Sequence, residues 1–215
     1  MDAQDIEAAV DTRHWAVLDG RLQASFETGS FARGVAFVTA VGRAAEELNH
    51  HPDVDLRYPA VTFRLLSHDV GELTDRDMAL ALRISALAGD LSIGPAAAPQ
   101  QLTIAIDAMA FERVVPFWQA GLGYDRASDV GDEVRLVDPA DVGPPVWFQP
   151  MDEPRPQRNR VHLDVYVPRE RARARVDAVL AAGGVLVTDE FAPAWWVLAD
   201  PEGNELCVCT DQQPA

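Results

Sequence analysis

The sequence predicts an α+β protein of two domains: an αββαββα half whose antiparallel sheet carries its helices on one face, then a half built from two βαβββ units. Three observations predict it. Residues 1–90 order as helix, two strands, helix, two strands, helix; a stretch rich in Gly, Ala and Pro divides the chain; and the strand–helix–strands plan that begins near residue 102 recurs from residue 161. The length of 215 residues suits this division, since two domains of about 100 residues each bury a core more readily than one oversized one. The expected bounds are 1–90 for the first domain, 91–100 for the linker and 101–215 for the second.

In chain order, residues 4–10 form a short helix, His14 to Leu18 a strand, and Asp19-Gly20 a tight hairpin turn into the alternating strand Arg21 to Phe26. Phe31, Val35, Val38, Ala45 and Leu48 recur at helical spacing, with Thr28 or Ser30 as N-cap and Pro52 as the stop. Val54 to Tyr58 and Val61 to Leu65 are extended and joined at Pro59, with His68 at the end of the second. Thr74 caps a further helix that places Asp75 and Asp77 in its first turn, where acids suit the dipole. Beyond the Gly94-Pro95 and Pro99 stretch, Leu102 to Asp107 is a strand, Phe111 to Gly121 a helix, and residues 134–137 and 146–149 are strands. Residues 161–167 (strand), 169–182 (helix ended by Gly183-Gly184), and strands near Val185, Trp195 to Leu198 and Glu205 to Cys209 repeat the plan.

Composition excludes several classes of function. Hydrophobic residues at 48% with 24% charged describe a globular chain with a core. No apolar run reaches the roughly 18 residues of a membrane helix, and the acidic N-terminus is unlike an export signal, so a cytoplasmic, non-membrane protein is expected. With 18 basic against 34 acidic residues and a net charge of −16, the chain would repel a phosphate backbone, so nucleic acid is not an expected partner. Every basic residue other than histidine is arginine; without lysine there is no Schiff-base chemistry. Cys207 and Cys209 share one strand face as buried, reduced packing residues and cannot make a disulfide framework.

Chemistry concentrates in residues 46–77, which hold three of the chain's five histidines. Imidazoles titrate near neutrality, so His50, His51 and His68 are candidates for acid and base work. Glu46 stands four residues before His50 and is expected on the same helical face, orienting the ring. Adjacent histidines before a proline also suit a plain helix C-terminus, and Asp77 suits plain dipole compensation. Two neighbouring helical histidines without cysteine do not suit zinc.

Glu46, three residues, His50-His51-Pro52, five residues, Tyr58, nine residues, His68, eight residues and Asp77 resembles the signature of the pterin-4a-carbinolamine dehydratase family; Asp53 to Tyr58 and Ser67 to Thr74 fit its flanks. The resemblance covers roughly residues 5–90. It implies dehydration of 4a-hydroxytetrahydropterin to quinonoid dihydropterin with release of water, in recycling of the tetrahydrobiopterin cofactor, by a carbon–oxygen lyase. It further implies proton transfer by His50 and His68, support from Glu46 and Asp77, and pterin contacts from His51, Pro52, Asp53 and Ser67. It implies no metal or other cofactor, and a homodimer or homotetramer. An assembly or small-molecule-binding role without catalysis is the alternative.

In the second half, the duplicated unit with Leu122-Gly123-Tyr124 and Asp200-Pro201-Glu202-Gly203-Asn204-Glu205 resembles the glyoxalase and bleomycin-resistance, or vicinal oxygen chelate, family over residues 101–210. Metal-dependent members place ligands on the first and last strands of each unit. His162 matches; Thr103 stands at the equivalent first-unit position, Gln149 is a weak oxygen donor, and Cys207 stands where a Glu is usual, with Glu205 two residues earlier. One or two ligands do not hold an ion, so a metal-free pocket around His162, Gln149 and Glu205 is expected, with lyase or dioxygenase chemistry there as the alternative.

Overall fold

A computed structural model describes residues 6, 9–10, 14–127, 134–154 and 162–210, and the chain divides into compact units of residues 1–101 and 102–215. The helix expected over 4–10 lies mostly outside the described residues, although Ile6 and Ala9 are helical. In the first unit, β1 (Trp15–Leu18) and β2 (Arg21–Glu27) form the expected hairpin. They are followed by α1 (Phe31–Leu48), β3 (Asp53–Arg57), β4 (Ala60–Leu65), α2 (Asp75–Asp90) and β5 (Gly94–Pro95).

The strands make an antiparallel sheet in the order β1-β2-β4-β3, with β5 also pairing β2. Alternation decides its faces. Leu22, Ala24 and Phe26 of β2 and Val61, Phe63 and Leu65 of β4 are fully buried against Phe37 and Val41 of α1 and Leu80, Ala81 and Ile84 of α2. On the opposite face Ser25 and Thr62, cross-strand neighbours, share a 2.8 Å hydrogen bond. The rings of Phe26, Phe37 and Phe63 meet edge to face at 5.3–5.9 Å, a geometry that adds about 0.5–1.5 kcal/mol per pair beyond burial.

Two boundaries differ from expectation. Helix α1 stops at Leu48, four residues before Pro52: Asn49 takes a left-handed conformation (φ 48°), and its N–H and that of His50 close on the Ala45 and Glu46 carbonyls. Ser30, rather than Thr28, is the N-cap. The expected linker also begins inside the first unit, because Ile93 is in the core, Gly94–Pro95 lies beside β2, and the Ala96 N–H donates to Ser25.

The second unit repeats one plan. Strand β6 (Ile104–Ala108), α3 (Phe111–Leu122), β7 (Asp125–Arg126), β8 (Val134–Val137) and β9 (Val146–Pro150) form a sheet ordered β6-β9-β8-β7. Strand β10 (Leu163–Tyr166), α4 (Arg169–Ala181), β11 (Val185–Thr188), β12 (Trp195–Ala199) and β13 (Glu205–Cys209) form one ordered β10-β13-β12-β11. In both, the first strand runs parallel to the last and the other pairs are antiparallel. One core joins them: Phe117 and Trp118 of α3, Val176 and Val179 of α4, and Leu198, Leu206 and Val208 from the second sheet. Strand β7 was not anticipated, being two residues long, and Val161 of the expected strand 161–167 lies outside the described residues.

Candidate functional site

The sheet register of the first unit gathers the histidines. Asp53 lies opposite Arg64, so the segment entering β3 and the segment leaving β4 meet at one end of the sheet. His50 and His51 belong to the first segment; Ser67 and His68, in the turn after β4, belong to the second. Helix α2 starts at the same end and brings Asp77.

At the centre is a buried pair. His50 Nε2 lies 2.8 Å from Asp77 Oδ1, with His50 6% exposed and Asp77 completely buried. The second carboxylate oxygen, Oδ2, accepts the Ser67 hydroxyl at 2.7 Å and the Thr74 N–H at 2.8 Å. The Thr74 hydroxyl is 2.7 Å from that of Ser67 and accepts the Arg76 N–H, completing a capping box in which Asp77 is the third helical residue. An isolated buried carboxylate is costly; the Ser67 and Thr74 hydroxyls, the Thr74 N–H and an imidazole satisfy this one. An ionised carboxylate only accepts, so opposite ionised Asp77 the His50 Nε2 is the donor and Nδ1 is the ring nitrogen left for a further partner. A carboxylate-backed imidazole of this kind can take up and return a proton without turning.

Around it the groups are open. His51 Nε2 stands 3.2 Å from Glu46 Oε1, both side chains more than half exposed. His68 is exposed, and Asp69 beside it pairs with Arg76 at 2.6 Å, tying the turn to the first turn of α2. That guanidinium hydrogen bond holds the Asp69 carboxyl below the usual carboxylate range. Asp53 opens β3, 3.6 Å from Arg21, and Pro52 precedes it.

In the second unit a cavity of about 570 Å³ lies where β6, the start of β10 and the β12–β13 turn meet; His162, Glu205, Asp107, Arg113 and Glu202 contribute to its wall. The turn is shaped by Asp200, which accepts the Trp118 indole N–H at 3.0 Å and the Glu202 and Asn204 N–H groups at 2.9 Å. Beside it, His162, Asp164 and Cys207 place their donor atoms within 4.8 Å of one another. Burial and the neighbouring Asp164 carboxylate push the Cys207 thiol up to about 12.

Residues 1–87 match the family described as pterin 4 alpha carbinolamine dehydratase. A relative in Mycobacterium tuberculosis (strain ATCC 25618 / H37Rv), provisionally named a pterin-4-alpha-carbinolamine dehydratase, is 40% identical over 87 residues, covering 40% of this chain and 93% of that protein. The chain belongs to the pterin-4-alpha-carbinolamine dehydratase family. A provisionally named dehydratase of Chloroflexus aurantiacus (strain ATCC 29366 / DSM 635 / J-10-fl) is 36% identical over 88 residues, 41% of this chain and 95% of its own. Residues 103–209 match a glyoxalase-like domain, so the two families are fused in one chain. Among solved structures, a transcriptional coactivator/pterin dehydratase from Brucella melitensis is similar at 27% identity and TM-score 0.38, covering 40% of this chain and 92% of that one. A glyoxalase-related enzyme from Fulvimarina pelagi is similar at 16% and 0.43, covering 53% and 89%.

Within the dehydratase-family unit, two expected roles are redistributed. Glu46 does not orient His50: the left-handed Asn49 turns His50 off the helix, so Glu46 meets His51 and Asp77 takes His50. Ser67, expected to touch the pterin, is fully buried and holds Asp77. Asp77 serves as helix cap and as partner of His50 at once. In the glyoxalase-like unit His162 and Glu205 share the cavity wall with Asp107, whereas Gln149 is not part of that wall. Asp164 was missed, although alternation along the strand places it on the same face as His162. With it, the donors number three rather than one or two. Trp196 packs into the core and Trp195 stacks on Phe191 at 4.5 Å.

Proposed function

We propose that the dehydratase-family unit removes water from 4a-hydroxytetrahydropterin to give quinonoid dihydropterin. The observation that supports this reading best is the buried His50–Asp77 pair, whose carboxylate fixes one ring nitrogen as donor and leaves the other as base. Loss of the C4a hydroxyl as water needs a proton delivered to the departing oxygen, and the new C4a=N5 double bond needs the N5 proton removed. The reaction neither oxidises nor reduces, and one proton taken balances one given. In this reading His50 and His68 carry the two transfers; His50, backed by Asp77, is assigned the base, and His68, exposed across the sheet end, the acid. His51, held by Glu46, supports binding together with Pro52 and Asp53. The protein is expected to act in the cytoplasm as a homodimer or homotetramer; Phe31 and Val35, exposed on α1, are apolar surface available to a second copy.

The test is to supply enzymatically generated 4a-hydroxytetrahydropterin to the full chain and follow dehydration by ultraviolet absorbance. A rate well above the uncatalysed one is expected; equal rates would leave the unit as an assembly or binding module. Light scattering on the same preparation checks the oligomer, and a monomer at micromolar concentration contradicts it.

A further inference from the structure

We infer that the glyoxalase-like unit binds a zinc-class divalent cation through His162, Asp164 and Cys207. Strand register builds the site. Asp164 lies directly beside Cys207 in the parallel β10–β13 pair, and His162, two residues before Asp164, projects from the same face. The three donor atoms lie within 4.8 Å of one another, and His162 Nε2 stands 3.3 Å from Asp164 Oδ1. Tetrahedral zinc, with bonds of about 2.0–2.3 Å, separates its donors by about 3.3–3.6 Å, so small side-chain rotations suffice.

The donor chemistry selects the class of ion. One imidazole, one carboxylate and one sulfur suit zinc and its borderline-soft neighbours, which bind the sulfur as thiolate and so displace the Cys207 proton to solvent, whereas calcium and magnesium take oxygen throughout. Exposure is graded to match: the Cys207 side chain is buried at the base, and the His162 and Asp164 side chains are 47% and 48% exposed. An ion seated there is reached from solvent and keeps a position for water or a small-molecule donor. His162 and Cys207 stand at the first-strand and last-strand positions of one βαβββ repeat and Asp164 adds a third donor from its first strand, so the other repeat, with Thr103 and Gln149, supplies no ligand.

Cobalt(II) reports this site directly, because a thiolate ligand gives a sulfur-to-cobalt charge-transfer band in the near ultraviolet, and Cys207 and Cys209 are the chain's only cysteines. Titration of the metal-stripped full chain with cobalt(II) is expected to give one equivalent of binding with that band, displaced by zinc. Cys207→Ser should abolish the band and Cys209→Ser should keep it. His162→Ala and Asp164→Asn should each weaken binding at least about tenfold. No band in the unsubstituted protein, or a band that survives Cys207→Ser, overturns the inference. Should Cys207→Ser fail to fold, as judged by circular dichroism, the exposed His162→Ala decides, and unchanged cobalt affinity there overturns it equally. Dehydration by the first unit is a separate readout, so failure of one reading is distinguishable from failure of the other.

Discussion

Asp77 accepts from four neighbours: the His50 ring, the Ser67 hydroxyl, the Thr74 hydroxyl and the Thr74 N–H. Asp77→Ala leaves these buried donors without an acceptor, and removal of one partner of a buried pair costs about 3–5 kcal/mol. Urea unfolding should show a loss of that order, and a loss below about 1 kcal/mol would mean that the network is dispensable. His50→Ala and His68→Ala are expected to lower the dehydration rate by about 10²–10⁴-fold, the usual contribution of a positioned acid or base; an unchanged rate in either removes that residue from the mechanism. The three histidines were legible in the sequence because their spacing places them at two segment ends that a sheet brings together. Their partners were not. A four-residue separation reads as a helical pair only while the helix lasts, and the left-handed Asn49, invisible to periodicity, ends it before His50 and hands the ring to a residue 27 positions later.

Helix α3 lacks a side-chain cap of its own, and its ends are served from the second repeat. Glu202, on the turn shaped by Asp200, accepts the Met109 and Ala110 N–H groups at 2.8–2.9 Å, and the Arg175 guanidinium donates to the Ala120 and Gly121 carbonyls at 3.2 and 3.0 Å. A carboxylate at the start and a guanidinium at the end both oppose the helix dipole. Glu202→Ala should lower the stability of the second unit by about 1 kcal/mol, the usual worth of a lost cap, and calorimetry checks it; no change would make the contact incidental. The loop after β8 offers a pH test. Asp138 accepts the N–H groups of Ala140, Val142 and Gly143, which hold its carboxyl below the ordinary range. A depressed folded-state value gives stability that is present above the unfolded value and is lost as pH falls through the folded one. Asp138→Asn should therefore be less stable than the parent at pH 7, with the gap closing as the medium is acidified below about pH 4; a gap that is independent of pH contradicts this. Longer elements were legible from alternation and helical spacing. Two-residue strands such as β7 and β5 carry no period to read, so β5 is indistinguishable from linker in the sequence.

Across the whole molecule, the division into two units and the repeat in the second follow from patterns that span tens of residues, and those survive local errors. Sites that depend on register were harder to read: Asp164 meets Cys207 only because β10 runs parallel to the last strand of its sheet, a pairing that sequence order does not announce. The fusion joins a unit with a buried imidazole–carboxylate pair to one with a cavity and a mixed nitrogen, oxygen and sulfur donor cluster. Among the described residues no helix is long and apolar enough to cross a membrane. The proposed dehydration rests on the buried His50–Asp77 pair. The measurement that tests it most directly is the rate of 4a-hydroxytetrahydropterin dehydration by the full chain set beside that of His50→Ala at equal concentration. Acceleration by the parent protein and loss of nearly all of it in the variant are expected; equal rates for the two would rule out catalysis through His50.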